Sequence, residues 1–320
     1  MGAAEHEPMR TRRAVAAGLT AGALFGPSLV RAQPAAPSAT PMAPPVDPLL
    51  DPSVVAASAD FSDRMTVPVK LNGQGPFPFV IDTGSNRSVV SEILAQRLNL
   101  PTGETLQVHA ATGVVDTPSV RIANLTVGNR WLRNFDAPVL QAANLGALGM
   151  LGIDAVANQR IVLDFRRRRM SLIPAHQSND DAGAVVVRAR SKYGQLLLVD
   201  SSVEGIPLYV IIDTGGEMTI ANSTLRTLLA KRRASYPQPV KITSVTGVTV
   251  DADLSFLPKV RLGAMDMSNL QVAYSDMYVF RQFGLDTKPA MLLGMSTLRY
   301  FDRVSIDFPA REVRFLLGPV

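Results

Sequence analysis

The chain contains no cysteine in 320 residues. Disulfides, thiol nucleophiles and cysteine-ligated metal sites are excluded, while the redox compartment stays open. Histidine is nearly as scarce. His6, His109 and His176 are far apart in sequence, which argues against a zinc site or a serine-type triad. No metal or other cofactor is expected. No acidic cluster has calcium-loop spacing. The single tryptophan, Trp131, leaves little for stacking on sugars and reads as a packing residue. The charge excess is small as well, at +5. Arg10, Arg12, Arg13 and Arg31 against Glu5 and Glu7 account for +2 of it, and the remaining +3 is too mild to imply a nucleic-acid partner. The four arginines from Arg166 to Arg169 form the dense basic cluster and read as a solvated hairpin turn. Apolar residues are plentiful: 47% hydrophobic with 18% charged fits a chain with true cores, and the length suits two domains.

Long apolar runs are missing except near the start. Thr11-Arg12-Arg13 leads a small-residue apolar stretch from Ala14 to Val30, and Val30-Arg31-Ala32 offers a cleavage site before Gln33. Residues 1–32 therefore read as an export signal, and the paired arginines resemble a twin-arginine signal. An ordinary secretory signal is the competing reading. Gly26-Pro27 interrupts the stretch, which is short for a membrane span. The mature chain is expected to be periplasmic or secreted, with no stable membrane span. Residues 33–60, rich in Pro, Ala and Ser, read as a linker. Gln33 to Asp63 contains no Lys or Arg, which argues against a prosegment that would pair with acidic groups.

The organising fact is a repeat. Asp-Thr-Gly occurs twice, each time after an apolar run: Phe79-Val80-Ile81-Asp82-Thr83-Gly84-Ser85 and Val210-Ile211-Ile212-Asp213-Thr214-Gly215-Gly216. Chance alone would produce this tripeptide about 0.06 times in such a chain. Pro76 to Asp82 matches Pro207 to Asp213 at an offset of 131, and Ser88-Val89 matches Thr219-Ile220 at the same offset. Ala111-Thr112-Gly113-Val114 matches Val245-Thr246-Gly247-Val248, Val120-Arg121-Ile122 matches Val260-Arg261-Leu262, and Met150-Leu151-Gly152 matches Leu292-Leu293-Gly294. By Leu163-Asp164-Phe165 and Ile306-Asp307-Phe308 the offset has grown to 143, as loop insertions would make it. A tandem duplication follows, with a first unit over 61–177, a second over 186–320, and a connection over 174–183. Short β-branched and aromatic runs between turn residues make both units mostly strand, so the fold class is all-β. Short helices are expected at Ser91–Leu98 and Asn222–Lys231, each opening on a good N-cap. Asp164 and Asp307 read as hairpin acids.

An Asp-Thr-Gly loop holds one acid at the end of a buried strand. The glycine allows a sharp turn or a close backbone approach, and the threonine hydroxyl can lock the loop. Two such loops about an approximate twofold axis would bring Asp82 and Asp213 together. Like charges at that distance share a proton. One acid can then activate a water while the other protonates a carbonyl oxygen. That is amide hydrolysis without a covalent intermediate.

These loops, with Ser88-Val89 and Thr219-Ile220 after them, resemble the active-site loops of the pepsin/retropepsin superfamily of aspartic proteases. Leu148-Gly149-Met150-Leu151-Gly152-Ile153-Asp154 and Met291-Leu292-Leu293-Gly294-Met295 are similar to its second signature, beneath the acid loop. The resemblance spans roughly residues 65–318. It implies a bilobal acid-protease fold of two tandem retropepsin-like β-barrel lobes with short helices, and a cleft for a peptide or protein substrate. Catalytic Asp82 and Asp213 would be supported by Thr83, Gly84, Ser85, Thr214, Gly215 and Gly216. Hairpin flaps would be centred on Ala111, Thr112 and Gly113 and on Val245, Thr246 and Gly247. Two similar flaps look like a fused retropepsin dimer, which needs no partner and is expected to be a monomer. Two departures stand out. Gly216 replaces the usual Ser, Ala or Thr, removing a hydroxyl that could bind Asp213, and no Tyr occurs between Met65 and Lys192, where a pepsin-type flap would carry one. The expected activity is an aspartic endopeptidase; a non-catalytic peptide-binding pseudoprotease on the same scaffold is the alternative.

Overall fold

The computed structural model describes residues 54–56, 58–60, 64–174, 182–230 and 237–318. The expected export signal, most of the expected linker, the centre of the inter-lobe connection and Lys231 lie outside these residues.

In the first lobe the strands Arg64–Leu71, Gln74–Ile81, Gly149–Leu151, Val89–Ser91, Arg130–Leu140 and Ser119–Val127 pair in that order. The last pairs back onto the first, with Val69 opposite Val127, which closes a six-stranded barrel. Alternation fills it: Val120, Ile122, Leu125 and Val127 point inward from one strand. The alternation shifts at Ala123-Asn124, where Asn72 Oδ1 accepts both backbone N–H groups. The second lobe repeats the plan with Tyr209–Ile212, Ala290–Leu293, Ile220–Ala221, Met265–Tyr274 and Thr249–Leu262. Its ring closes through a broken strand. Gln195–Leu198 pairs with Tyr209–Ile212, and Ser201–Val203 pairs with Thr249–Leu262.

Between the barrels runs a sheet ordered Val54–Ala56, Arg169–Pro174, Gln159–Asp164, Arg303–Asp307, Glu312–Leu316 and Val185–Lys192. Its central register pairs Arg160 with Asp307, Val162 with Ser305 and Asp164 with Arg303. Arg160 and Arg303 are repeat mates, as are Asp164 and Asp307 and Val162 and Ser305, so the pairing maps onto itself and the pseudo-twofold axis passes through Val162 and Ser305. Asp164 and Asp307 are turn acids as expected: their Oδ1 atoms accept from Arg167 N (2.8 Å) and Ala310 N (2.9 Å). Each also joins the repeats, which the sequence did not announce. Arg160 places Nε and Nη2 each 2.8 Å from Asp307 Oδ2, and Arg303 Nη2 lies 3.3 Å from Asp164 Oδ2. Asp307 is fully buried, so removing Arg160 alone would leave an uncompensated buried carboxylate, which is costly.

The two expected helices are present at Glu92–Arg97 and Ser223–Ala230. Ser91 Oγ and Asn222 Oδ1 accept from the third amide onward, Leu94 N at 3.2 Å and Leu225 N at 3.1 Å. Trp131 departs from its reading as a packing residue. It is 59% exposed on the hairpin between the last two strands of the first barrel, with the Arg133 guanidinium 5.4 Å from its ring.

Candidate active site

Buried strand ends carry both acids. Phe79 to Ile81 runs parallel to Gly149 to Leu151, and Tyr209 to Ile212 parallel to Ala290 to Leu293. Asp82 N therefore donates to Leu151 O (2.9 Å) and Asp213 N to Leu293 O (3.1 Å), fixing each acid at the same depth. Asp82 Oδ1 accepts from Gly84 N at 2.7 Å. Asp213 Oδ1 accepts from Gly215 N and Gly216 N, both at 3.0 Å. The threonines cross between lobes. Thr83 N donates to Thr214 Oγ1 (3.0 Å) and Thr214 N to Thr83 Oγ1 (3.2 Å). Their hydroxyls donate to Ile212 O and Ile81 O, both at 2.9 Å. Reciprocal buried bonds of this kind hold two loops in one relative position.

Neither Gly84 nor Gly215 has the left-handed backbone that a turn would demand. What they supply is room for the opposite acid. A methyl group built on Gly84 would stand 3.0 Å from Asp82 Oδ1 and 3.0 Å from Asp213 Oδ1. Those two oxygens therefore lie no further apart than twice that distance. A methyl on Gly215 would sit 2.2 Å from Asp82 Cγ. The second signature has the same logic. A methyl on Gly152 would stand 2.5 Å from the Arg87 carbonyl carbon, and one on Gly294 would stand 2.4 Å from Met218 O. Gly152 N and Gly294 N donate to Ser88 Oγ (3.2 Å) and Thr219 Oγ1 (3.1 Å). Every one of these contacts in the first lobe has its mate in the second.

Symmetry breaks in places. Ser85 Oγ donates to Arg87 O (2.9 Å), so this hydroxyl is engaged by the backbone, and the missing hydroxyl at Gly216 removes less than the family pattern suggests. Ser88 N and Oγ donate to Asp154 Oδ2 (2.9 Å) and Oδ1 (2.7 Å). In the second lobe Thr219 meets Thr297 at 2.6 Å instead. Burial pushes the Asp154 carboxyl above its ordinary range, against the pull of the Ser88 hydrogen bonds.

The expected flap residues form two hairpin tips. Leu106–Ala110 pairs with Gly113–Thr117 around Ala111-Thr112, and Gln238–Thr243 pairs with the start of Thr249–Leu262 around 244–248. Gly247 carries the positive φ of its turn, at 83°. The tips cross to opposite lobes. Ala111 packs against a second-lobe cluster that includes Ile211, Ile220 and Met277, and its carbonyl accepts from Val279 N at 3.2 Å. Val245 packs against a first-lobe cluster that includes Val80, Leu145 and Met150. Thr112 Oγ1 donates to Ser244 Oγ between them at 2.9 Å, and the Ser244 and Thr246 hydroxyls lie 2.9 Å apart.

Beneath the flaps is a cavity of about 340 Å³ bounded by Asp82, Asp213, Gly84, Ser85, Gly215 and Gly216 together with Ala111 and Val245. Most of the remaining wall is apolar, including Val108, Met150, Ile220, Ile242 and Leu292. Several wall residues carried no sequence signal. Gln195 lies in a strand far before its acid, and Met277 and Val279 belong to a connection with no repeat mate. His109, remote from the other histidines in sequence, lines the cavity and lies 3.4 Å from Tyr278 Oη through Nδ1. Among the described residues there is no group of three or more His, Cys, Asp or Glu that could hold a metal, and no helix long and apolar enough to cross a membrane.

Two barrels that each present an Asp-Thr-Gly loop to a common cavity define the bilobal acid-protease fold. The aspartyl protease family matches the chain twice, over residues 67–155 and 199–297, and the chain belongs to that family as a retropepsin-like member with two tandem lobes. Its general class is a hydrolase of the protease type. No curated protein matches it.

Proposed function

We propose that the chain is an endopeptidase in which Asp82 and Asp213 form the reacting pair. One carboxyl keeps a proton while its partner is ionised. The ionised acid takes a proton from a bound water as the water attacks the scissile carbonyl carbon, and the protonated acid donates to the carbonyl oxygen. The tetrahedral species then collapses: its C–N bond breaks as the acid that took the water's proton passes it to the departing nitrogen, and the other acid recovers a proton from the tetrahedral hydroxyl. Thr83 and Thr214 keep the acids in register, Gly84 and Gly215 leave space for them, and Ala111 to Gly113 and Val245 to Gly247 cover an extended substrate.

The observation that carries this reading is the space at Gly84, equidistant at 3.0 Å from an oxygen of each acid. Two like carboxylates so close are costly to keep without a use for them. Asp82→Asn and Asp213→Asn should each abolish cleavage of a peptide library, read by mass spectrometry, with circular dichroism unchanged. Near wild-type turnover in either variant defeats the assignment. The pseudoprotease reading draws on the docked flap tips, which close the cavity. Tight binding of a statine-type inhibitor with no peptide turned over would favour it. We further propose that the chain acts after export, on the strength of Arg12-Arg13 and the apolar stretch behind them; cell fractionation tests this.

A further inference from the structure

Gln195 is 4% exposed and begins the strand that closes the second barrel. Gln195 is among the residues that line the cavity holding both acids. Nε2 donates to the carbonyl oxygen of Gly84, in the opposite lobe's acid loop. That bond settles the orientation of the amide, because a carbonyl accepts and only the NH₂ end can donate. Oε1 is then left as an acceptor, buried and with no partner among the described residues. An orphaned buried acceptor is costly, and each one in a native fold calls for an explanation.

Gly84 N is 2.7 Å from Asp82 Oδ1, so Gln195 is anchored one residue's reach from the reacting group. An extended peptide crossing the cavity presents backbone N–H donors to its walls. Asn86, Glu217 and Gln282 also line that wall, and Gln195 is the one bonded directly to an acid loop. The position matching Gln195 at the offset of 131 is Arg64, a residue type with donors and no acceptor. The acceptor is therefore a property of the second repeat, and it makes a nearly symmetric cleft unequal along its length.

We propose that Gln195 Oε1 receives a hydrogen bond from a substrate backbone N–H within two residues of the cut bond, making Gln195 a residue that selects the register and direction of the bound peptide. This rests on the reading of Asp82 and Asp213 as the reacting pair, but its test is a binding cycle that does not require turnover. The probe is a statine-containing hexapeptide with apolar side chains. A matched series replaces each backbone amide in turn by an ester, which removes the N–H and leaves the shape nearly unchanged. Affinities are measured by calorimetry for the wild-type chain and for Gln195→Met, which keeps the length and lacks the amide.

The expected result is a loss of about tenfold for Gln195→Met with the all-amide peptide. One ester next to the statine should cost the wild-type chain a similar factor and cost Gln195→Met nothing. Equal affinity of the two proteins for the all-amide peptide would mean that water serves the acceptor, and would overturn the proposal. So would a loss in Gln195→Met that is the same for every ester, which marks a packing role. If Gln195→Met does not fold, Gln195→Asn withdraws the acceptor by one carbon and is put through the same cycle. Persistent cleavage by Asp82→Asn would sink the acid pair while leaving the cycle readable. Failure of the wild-type chain to bind any of these peptides would sink both.

Discussion

Gly215 and Gly216 lie against the two carboxylates, and their substitution separates catalysis from folding. A methyl group at Gly215 would stand 2.2 Å from Asp82 Cγ, and one at Gly216 would stand 2.7 Å from Asp213 Oδ2. In both cases an acid must move. Displacement by about 1 Å costs on the order of 100-fold in rate. Gly215→Ala should lose at least that in kcat, and Gly216→Ala less, because only the end of a side chain has to yield. Steady-state kinetics on one peptide checks the order. Asp154 gives a pH prediction. Its carboxyl titrates above the ordinary value of 3.8 because it is buried. The folded chain therefore holds this proton when the unfolded chain has released it. Its contribution to stability is greatest below the ordinary value and is lost as the pH rises through the raised one. Denaturant titrations across that window should show a steeper fall in stability for the wild-type chain than for Asp154→Asn. Asp82 and Asp213 were legible in the sequence because duplication marked them twice. Asp154 and Gln195 were not, since their mates are Ser296 and Arg64 and a residue without a like mate leaves no repeat signal.

Among the elements, the flaps and the central strands depend most on distant partners. The flap hairpins were legible from Thr112-Gly113 and Thr246-Gly247 between alternating runs. Their crossing was not, because docking on the opposite lobe depends on Met277 and Val279, which belong to no periodic pattern. The Thr112–Ser244 bond ties the tips. Thr112→Val should preserve the hairpin and raise the association rate of a fluorescent peptide inhibitor by about fivefold, as expected for one neutral hydrogen bond. Stopped-flow mixing measures this, and an unchanged rate would mean that opening does not limit entry. Arg160 and Asp307 test the central strands. Arg160→Met leaves a carboxylate in a dry interface and should cost about 3–5 kcal/mol in urea unfolding. Adding Asp307→Leu should restore much of that loss, since an apolar pair of similar volume is often no worse than the ion pair.

For the whole molecule, the duplicated plan was legible from the repeat alone, as was the all-β class. The sheet that fuses the halves was not: pairing between Gln159–Asp164 and Arg303–Asp307 follows from no local pattern. One chain supplies both acids and both hairpin tips, so the specific activity per chain should be independent of protein concentration. Velocity sedimentation should report a species near the one-chain mass of 34.3 kDa at most, less any segment removed on export. A peptidase that needs one carboxyl protonated should also work best on the acid side of neutrality, and a pH–rate profile with two limbs would record the pair.

The mirrored register of the central sheet bears on how the protein is made. During synthesis, the edge at Asp164 emerges about 140 positions before Arg303, its partner. At about 5–20 residues per second, that partner arrives on the order of ten seconds later. Through this interval the strand Gln159–Asp164, which follows the completed first barrel, presents an open edge, the kind of template that recruits foreign chains. Arg160 and Asp164 lie on that strand, and the partners of both charges, Asp307 and Arg303, arrive only with the second repeat.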